Sequence, residues 1–501
     1  VPPGDICTGN NTNTTHQKKP IMKLIDPMDF SNDPLLSNIQ GNILKGHGRD
    51  YTTHIFLQFK KGQEKTASAW IGIYLAEKVT SFKKQLWERE RFKRNRVPGG
   101  VFTGFFITAT GYKYLGKEVE KNLDDKAFLD GMKKRLDITC DPDPKHWEKG
   151  FQGETHAMVL LADDDVARME LAAREIVDLS EDFADVIAVE YGNVIRNDNG
   201  DGIEHFGYVD GISQPLFLRE EVDEWMKFHS ADPKAGNDDP AKPKFNPTAD
   251  SDLVLIKDPY TEEPDSFGSY FVFRKLEQNV KGFKKAEEDL GLGELGGAYL
   301  VGRFEDGSPV VLTDDEGVIG AGNYNNFNYG NTPAGMEASA SRCPYFAHIR
   351  KTNPRDNKIA GDKKIPPVMA RRGIPFGQRE KKTAIAPCKE VFPEEGVGLL
   401  FMSYQRSIED QFEVIQHSMA NDPDFPNPLP GALNSGVDAI IGQIKDQHPA
   451  THHYQFPVEY GKPELTGKLP FTQFVTMKGG EYFFTPSIPF LKSLKPSFVN
   501  Q

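Results

Sequence analysis

One stretch of this chain sets a carboxylate where it can move a proton. His205-Phe206-Gly207-Tyr208-Val209-Asp210-Gly211-Ile212-Ser213-Gln214-Pro215 places Asp210 beside Gly211, with Gly207 three residues earlier, and closes on a proline. Glycine tolerates backbone angles that a side chain forbids, so the chain can bend tightly here and pass close to a ligand. Asp210 then sits at a turn with its carboxylate aimed outward, fit for acid–base work. The same residues also describe an ordinary Asx-type surface turn. Two later stretches bear on that choice. Cys343-Pro344-Tyr345-Phe346-Ala347-His348-Ile349-Arg350-Lys351-Thr352-Asn353-Pro354-Arg355 delivers one histidine from an apolar run and follows it with a basic cluster. Val368-Met369-Ala370-Arg371-Arg372-Gly373-Ile374-Pro375-Phe376-Gly377 puts Arg371 at the end of an expected strand, where the default reading is a surface charge.

A histidine after apolar residues is either a packed core group or a ligand. With Arg350 close by, the arrangement suits haem, with imidazole on iron and a guanidinium pairing a propionate. Taken together, the three stretches resemble the dye-decolourising peroxidase family. The GxxDG motif of that family stands as Gly207-Tyr208-Val209-Asp210-Gly211, and the resemblance runs from Asn38-Ile39-Gln40-Gly41 to Gly480-Glu481-Tyr482-Phe483-Phe484. It implies an α+β fold of two ferredoxin-like domains, with antiparallel sheets and peripheral helices, and one haem b per chain, held mainly by the second domain. It implies His348 as the proximal iron ligand and Asp438, in Gly436-Val437-Asp438-Ala439-Ile440-Ile441-Gly442-Gln443, as the acceptor of the other imidazole proton. Such an acceptor makes the ligand more basic. Asp210 and Arg371 are implied as the distal pair, Arg350 as the propionate partner, and Gly211, Ile212 and Gln214 as cofactor contacts. Leu399 and Phe401 are two apart on an expected strand, so both can face the distal cavity or both can be plain core.

The implied activity is reduction of hydrogen peroxide, coupled to oxidation of aromatic reductants: bulky dyes, phenolics and carotenoids. An aspartate with a reference pKa of about 4 suits proton transfer in acid. Arg371 cannot lose its proton and offers fixed positive charge to the peroxide anion. In this family some oxidation occurs at surface aromatic radicals, for which Trp87, Trp147, Trp225 and Tyr404 are candidates. Phe376 stands where some relatives carry a tyrosine proposed for that route, so that path is not expected here. A homodimer is expected by analogy alone. Three other readings stand beside this one. They are haem binding or transport without turnover, an acidic hydrolase using paired carboxylates, and Cys343 as a thiolate ligand.

Composition bounds the rest. The chain has 501 residues, 38% hydrophobic and 27% charged, enough for two or three globular domains. A net charge of -13 argues against nucleic acid and anionic membranes as partners, and no apolar run reaches transmembrane length. Sequons at Asn10-Asn11-Thr12 and Asn13-Thr14-Thr15 make a secreted, extracellular glycoprotein the expectation, and with the long chain they look most like the secreted fungal members of the family. Cys7, Cys140, Cys343 and Cys388 show no CxxC spacing, so no zinc ribbon is indicated, and buried thiols are expected for most.

The elements that must position these residues fall into two similar halves. Residues 1–34 read as a polar tail, 35–229 as the first domain, 230–251 as a linker rich in Pro, Asp and Lys, and 252–501 as the haem-binding domain. Strands are expected around 54–59, 101–107, 158–161, 186–189, 270–273, 298–301, 310–312 and 399–402. Helices are expected through Trp87, through Val166-Met169-Ala173-Ile176, through Leu276-Val280-Phe283-Leu290 and through Ile408-Phe412-Ile415-Met419. Gly291-Leu292-Gly293-Glu294-Leu295-Gly296 fits GxGxxG but follows a helix and precedes an expected strand, so Gly291 reads as a helix stop. Asn197–Gly202 resembles the start of a calcium loop, but Tyr208 stands at the twelfth position where a bidentate glutamate is needed. His452-His453 has no third ligand at metal spacing.

Overall fold

The computed structural model describes residues 24–229, 244–320, 322, 324–329, 340–355, 367–379, 392–426, 435–444, 453–464, 466–470 and 472–496. Residues 1–23 of the tail with both sequons, most of the 230–251 stretch, Cys7, Cys388 and His452 lie outside them.

Four strands of the first half are β1 (Tyr51–Phe59), β2 (Phe102–Ile107), β3 (Ala157–Asp163) and β4 (Ala184–Asn193). They lie in the order β2-β3-β1-β4, every pairing antiparallel. The second half repeats this with β5 (Phe267–Gln278), β6 (Ala370–Arg371), β7 (Ile374–Phe376), β8 (Gly398–Gln405) and β9 (Val475–Thr485). Its order is β7-β8-β5-β9, with β6 also on β8. In each half the first strand is flanked by the last two, and a helix joins those two. That is the β-α-β-β-α-β ferredoxin-like plan, present twice. The halves join edge to edge where Phe484 of β9 pairs with Ile107 of β2, and with the short strand Ile256–Lys257 paired to β5 this gives one ten-stranded sheet.

Aromatic side chains fill the space between the halves. Phe56 of β1 meets Phe273 of β5 at 4.8 Å between ring centroids, and Phe106 of β2 meets Phe271 at 4.3 Å. Both faces of β1 and β3 are covered, so they read as near-continuous buried runs without alternation. The helix Val166–Ser180 starts where the Asp165 carboxylate accepts from the Arg168 N–H, the cap expected of that aspartate run. Met169 and Ile176 are buried on its inner face. In Ile408–Ala420, a wide π-type helix, Ile408, Phe412, Ile415 and Met419 are all buried. Among the described residues no helix is long and apolar enough to cross a membrane.

Two expected strands are not strands. Ala298–Val301 lies in a helix, Glu294–Val301, and Val310–Leu312 forms a buried turn. An apolar run of four fits either element, and here Gly293 (φ 59°) and Gly302 (φ 94°) bracket a helix. The GxGxxG motif therefore runs into a helix, but what precedes it is the helix Val280–Asp289, which stops at Gly291 (φ 68°). Leu276 belongs to β5 rather than to that helix. The Asn197–Gly202 segment is a polar hairpin turn in which the Asn197 side chain accepts from the Asn199 and Asp201 N–H groups. Among the described residues no cluster of three metal-ligating side chains exists.

His54 of β1 is fully buried, its Nδ1 3.4 Å from the Glu190 carbonyl and its Nε2 without a partner. Burial pushes its pKa down to about 4, and that of His205 likewise to about 4. The unfolded chain, with histidines near 6.5, binds these protons first, so stability falls as pH drops from about 6.5 through about 4. Denaturation midpoints measured across that window check this. The His54→Phe variant is expected to show a shallower decline.

Candidate active site

Asp438 is fully buried, and its carboxylate is committed. Oδ1 accepts the N–H groups of Ile440 and Ile441, each at 2.8 Å. Oδ2 lies 2.9 Å from His348 Nδ1. A carboxylate accepts, so Nδ1 carries the imidazole proton and Nε2 keeps its lone pair. His348 opens the short helix His348–Thr352 and lines a deep cavity of about 1640 Å³ of atom-free space with its mouth included.

Asp210, Gly211, Ile212, Arg371, Leu399 and Phe401 line the same cavity. Asp210 leaves the first half on a turn held by Gly207 (φ 109°) and Gly211 (φ 80°), both in the left-handed region where glycine is favoured. Its Oδ1 accepts the Gly211 N–H at 2.6 Å and stands 3.9 Å from Arg371 Nη1. Arg371 ends β6, and its Nη2 donates to the Ser213 carbonyl at 3.1 Å. The neighbouring Arg372 turns the other way, is half-buried and donates to the carbonyls of Asn42 and Ile43, which anchors the strand. Leu399 and Phe401 alternate with buried Gly398 and Leu400 on β8, so both reach the cavity. The charged group paired with Asp210 is the Arg371 guanidinium.

Two expected contacts sit elsewhere. Gln214 does not line the cavity. Its side-chain oxygen accepts the Arg371 N–H at 3.1 Å, bracing the aspartate turn to the arginine strand. Arg350 also lies outside the lining. Its guanidinium is bound to the Cys343 carbonyl and stacked 4.3 Å from the Tyr345 ring. Helical periodicity explains this: residue 350 follows His348 by half a turn and points away from it. Cys343 is buried and likewise outside the lining.

The arginines that do reach the cavity are Arg303 and Arg355. Arg303 Nη1 donates to the Gly307 and Tyr324 carbonyls, while Nη2 is buried with no partner. Arg355 donates to the Asn325 and Phe327 carbonyls and lies 3.7 Å over the Phe327 ring. Neither has a carboxylate at ion-pair distance among the described residues, and burial pushes their pKa values down to about 10 and about 9. Desolvated, unpaired cations call for an anion. Arg274, also in the lining, has its answer in a buried bidentate pair with Asp141. Arg355 had a trace in the sequence, as the last member of the basic cluster seven residues after His348. Arg303 had none. Much of the remaining wall is apolar and includes Leu276, Phe412, Ile415 and Ile440. A free imidazole nitrogen, an apolar slot and two anion-seeking guanidiniums fit a porphyrin that bears carboxylates and a metal.

Of the aromatic residues considered for a surface route, Trp87 is 57% exposed, whereas Trp147 and Tyr404 are buried. Trp225 is half-buried against His229. Phe376 is buried on β7.

Comparisons with known proteins converge. Residues 38–194 match the family model described as "DyP dimeric alpha+beta barrel domain", and residues 300–428 match "Dyp-type peroxidase, C-terminal". The "Multifunctional dye peroxidase DyP2" of Amycolatopsis sp. is 39% identical over 477 residues, covering 92% of this chain and 96% of that protein. The "Dye-decolorizing peroxidase AauDyP1" of Auricularia auricula-judae is 31% identical, covering 76% of this chain and 72% of that protein. The crystal structure of the DyP-type peroxidase AnaPX of Anabaena sp. superposes with a TM-score of 0.81 at 38% identity, covering 94% of this chain and 97% of that one. These sources do not single out the secreted fungal type.

Proposed function

Because this chain belongs to the DyP-type peroxidase family, a family of haem enzymes, we propose that it is a haem b peroxidase with His348, Asp210 and Arg371 as its working residues. The observation that supports this best is the convergence on one cavity of the Asp438-oriented imidazole, the Asp210–Arg371 pair and two guanidiniums without carboxylate partners. His348 Nε2 would ligate the iron, and Arg303 and Arg355, rather than Arg350, would meet the propionates. Bound there, haem supplies a redox-active iron at which peroxide is reduced and through which electrons are drawn from a reductant.

The chain's own residues do the rest. Asp210 takes the proton from one oxygen of hydrogen peroxide and delivers it to the other, acting as base and then acid. Arg371 holds the charge that appears on the peroxide, and the Ser213 carbonyl and Gln214 fix where that charge sits. Asp438 keeps the His348 ring oriented and electron-rich. Leu399 and Phe401 present an apolar wall that limits water near the reacting oxygens. The names of the relatives support dyes as reductants, with phenolics and carotenoids as related aromatic or polyene donors. The two sequons support export and glycosylation, and a loss of mass on endoglycosidase treatment of protein from a secreting host checks that.

Purified protein loaded with haem is expected to show a Soret band that changes on adding hydrogen peroxide. Asp210→Asn should keep the band and lose about a hundredfold to ten-thousandfold in the rate of reaction with peroxide. A Soret band in the parent protein without any peroxide reaction would leave only a haem-binding or transport role. The Arg303→Met, Arg355→Met double variant is expected to release haem to apomyoglobin about tenfold to a hundredfold faster, because two charge-assisted contacts are gone. Unchanged release would place the propionates elsewhere.

A further inference from the structure

The turn that carries Asp210 belongs to the first half, but its cavity is walled mostly by the second. Something must hold the turn at a fixed height above that wall. Glu204, at the entrance to the turn, closes it in two ways. Its backbone accepts the Gly207 N–H at 3.0 Å and donates to the Tyr208 carbonyl at 3.1 Å. Its carboxylate accepts the Phe206 N–H at 2.8 Å on Oε2 and the Tyr208 N–H at 3.0 Å on Oε1. The same Oε2 accepts from the Gln278 side-chain amide at the end of β5. Phe206 stacks on Phe283 of the second half at 4.1 Å. Glu204 and Gln278 both line the cavity.

We propose that Glu204 is a positioning residue for Asp210. Its carboxylate clamps the Phe206 and Tyr208 N–H groups and ties the turn to β5 through Gln278, which fixes the acid two residues further on. The inference rests on the reading of Asp210 as the proton carrier. Chemistry explains why a carboxylate stands here. Two oxygens that only accept can serve two main-chain N–H groups and an amide at once. A glutamine has one acceptor oxygen, and its NH2 would face an N–H. Beyond the clamp, the Asp210 N–H donates to the Gly202 carbonyl at 3.1 Å, the Val209 N–H to the Glu305 carbonyl at 3.2 Å and the Tyr208 hydroxyl to Glu287, so the main chain stays in place while the clamp sets the fine position of the acid. Losing the clamp therefore frees the acid to tilt without unfolding the sheets behind it.

The test is a double-mutant cycle on the haem-loaded enzyme with Glu204→Gln, Asp210→Asn and the pair combined. Stopped-flow mixing gives the rate constant with hydrogen peroxide. Steady-state turnover gives KM for a phenolic reductant. Glu204→Gln is expected to slow the peroxide step about tenfold to a hundredfold, the cost of a small misplacement of a reacting group. The reductant KM and the Soret band should stay as they are. In the Asp210→Asn background the same substitution should change the rate less than about twofold, because the group it positions is gone. An equal loss in both backgrounds, or none in either, overturns the proposal. Should Glu204→Gln not fold, Gln278→Met removes the outer tie alone and is expected to give a smaller loss with the same dependence on Asp210. A rate unaffected by Asp210→Asn by itself would instead overturn the reading of Asp210 and leave the clamp without an object.

Discussion

A buried carboxylate has to be answered by donors, and at Asp438 every donor serves the site. Two consecutive N–H groups hold one oxygen, which leaves the second free to face only the imidazole of His348. The ring's tautomer and its angle follow from that. Without this arrangement the histidine could turn either nitrogen towards the cavity, and the rest of the constellation would have nothing fixed to work against. The partner sits 90 residues away in sequence, so the fold has to complete the second half before the ligand is oriented.

The arginines show how one side-chain type takes on different jobs according to what surrounds it. Arg274 is neutralised by Asp141 and acts as wall. Arg372 spends its donors on main-chain carbonyls and acts as an anchor. Arg371, its neighbour, is half-exposed and faces a carboxylate at a distance longer than a hydrogen bond. Arg303 and Arg355 are desolvated but not neutralised. Adjacent residues on a strand point to opposite faces, so Arg371 and Arg372 cannot do the same thing.

How much of this could be read beforehand depends on whether the signal is local. Asp210 could be read because glycines mark the turn that exposes it, and Leu399 and Phe401 because strand alternation puts them on one face. The duplicated rhythm of strands and helices could be read from hydrophobic spacing. Asp438 came only from the resemblance, since nothing in its neighbours announces an acceptor for a distant imidazole. Arg350 is near His348 in sequence but lies about half a helical turn round from it, whereas Arg355 reaches the cavity from the segment beyond the helix end at Thr352, which no helical spacing announces. Arg303 sits in a loop with no pattern around it, and its role appears only when burial removes its water. The segments 298–301 and 310–312 are short apolar runs that fit either element, and only for the first do bracketing glycines, Gly293 and Gly302, mark a helix.

The two halves of the sheet share a single bridging pair, Phe484 with Ile107, and meet besides through aromatic rings and through buried polar contacts such as Arg274 with Asp141 and Gln278 with Glu204. The first sheet's connection supplies the acid. The second supplies the guanidinium beside it and the imidazole. Neither copy of the duplicated plan thus owns a complete set of reacting groups, and dividing the chain between them would yield two well-formed sheets with no chemistry in either. The repeated unit is one of architecture. The unit of activity is the seam between the copies.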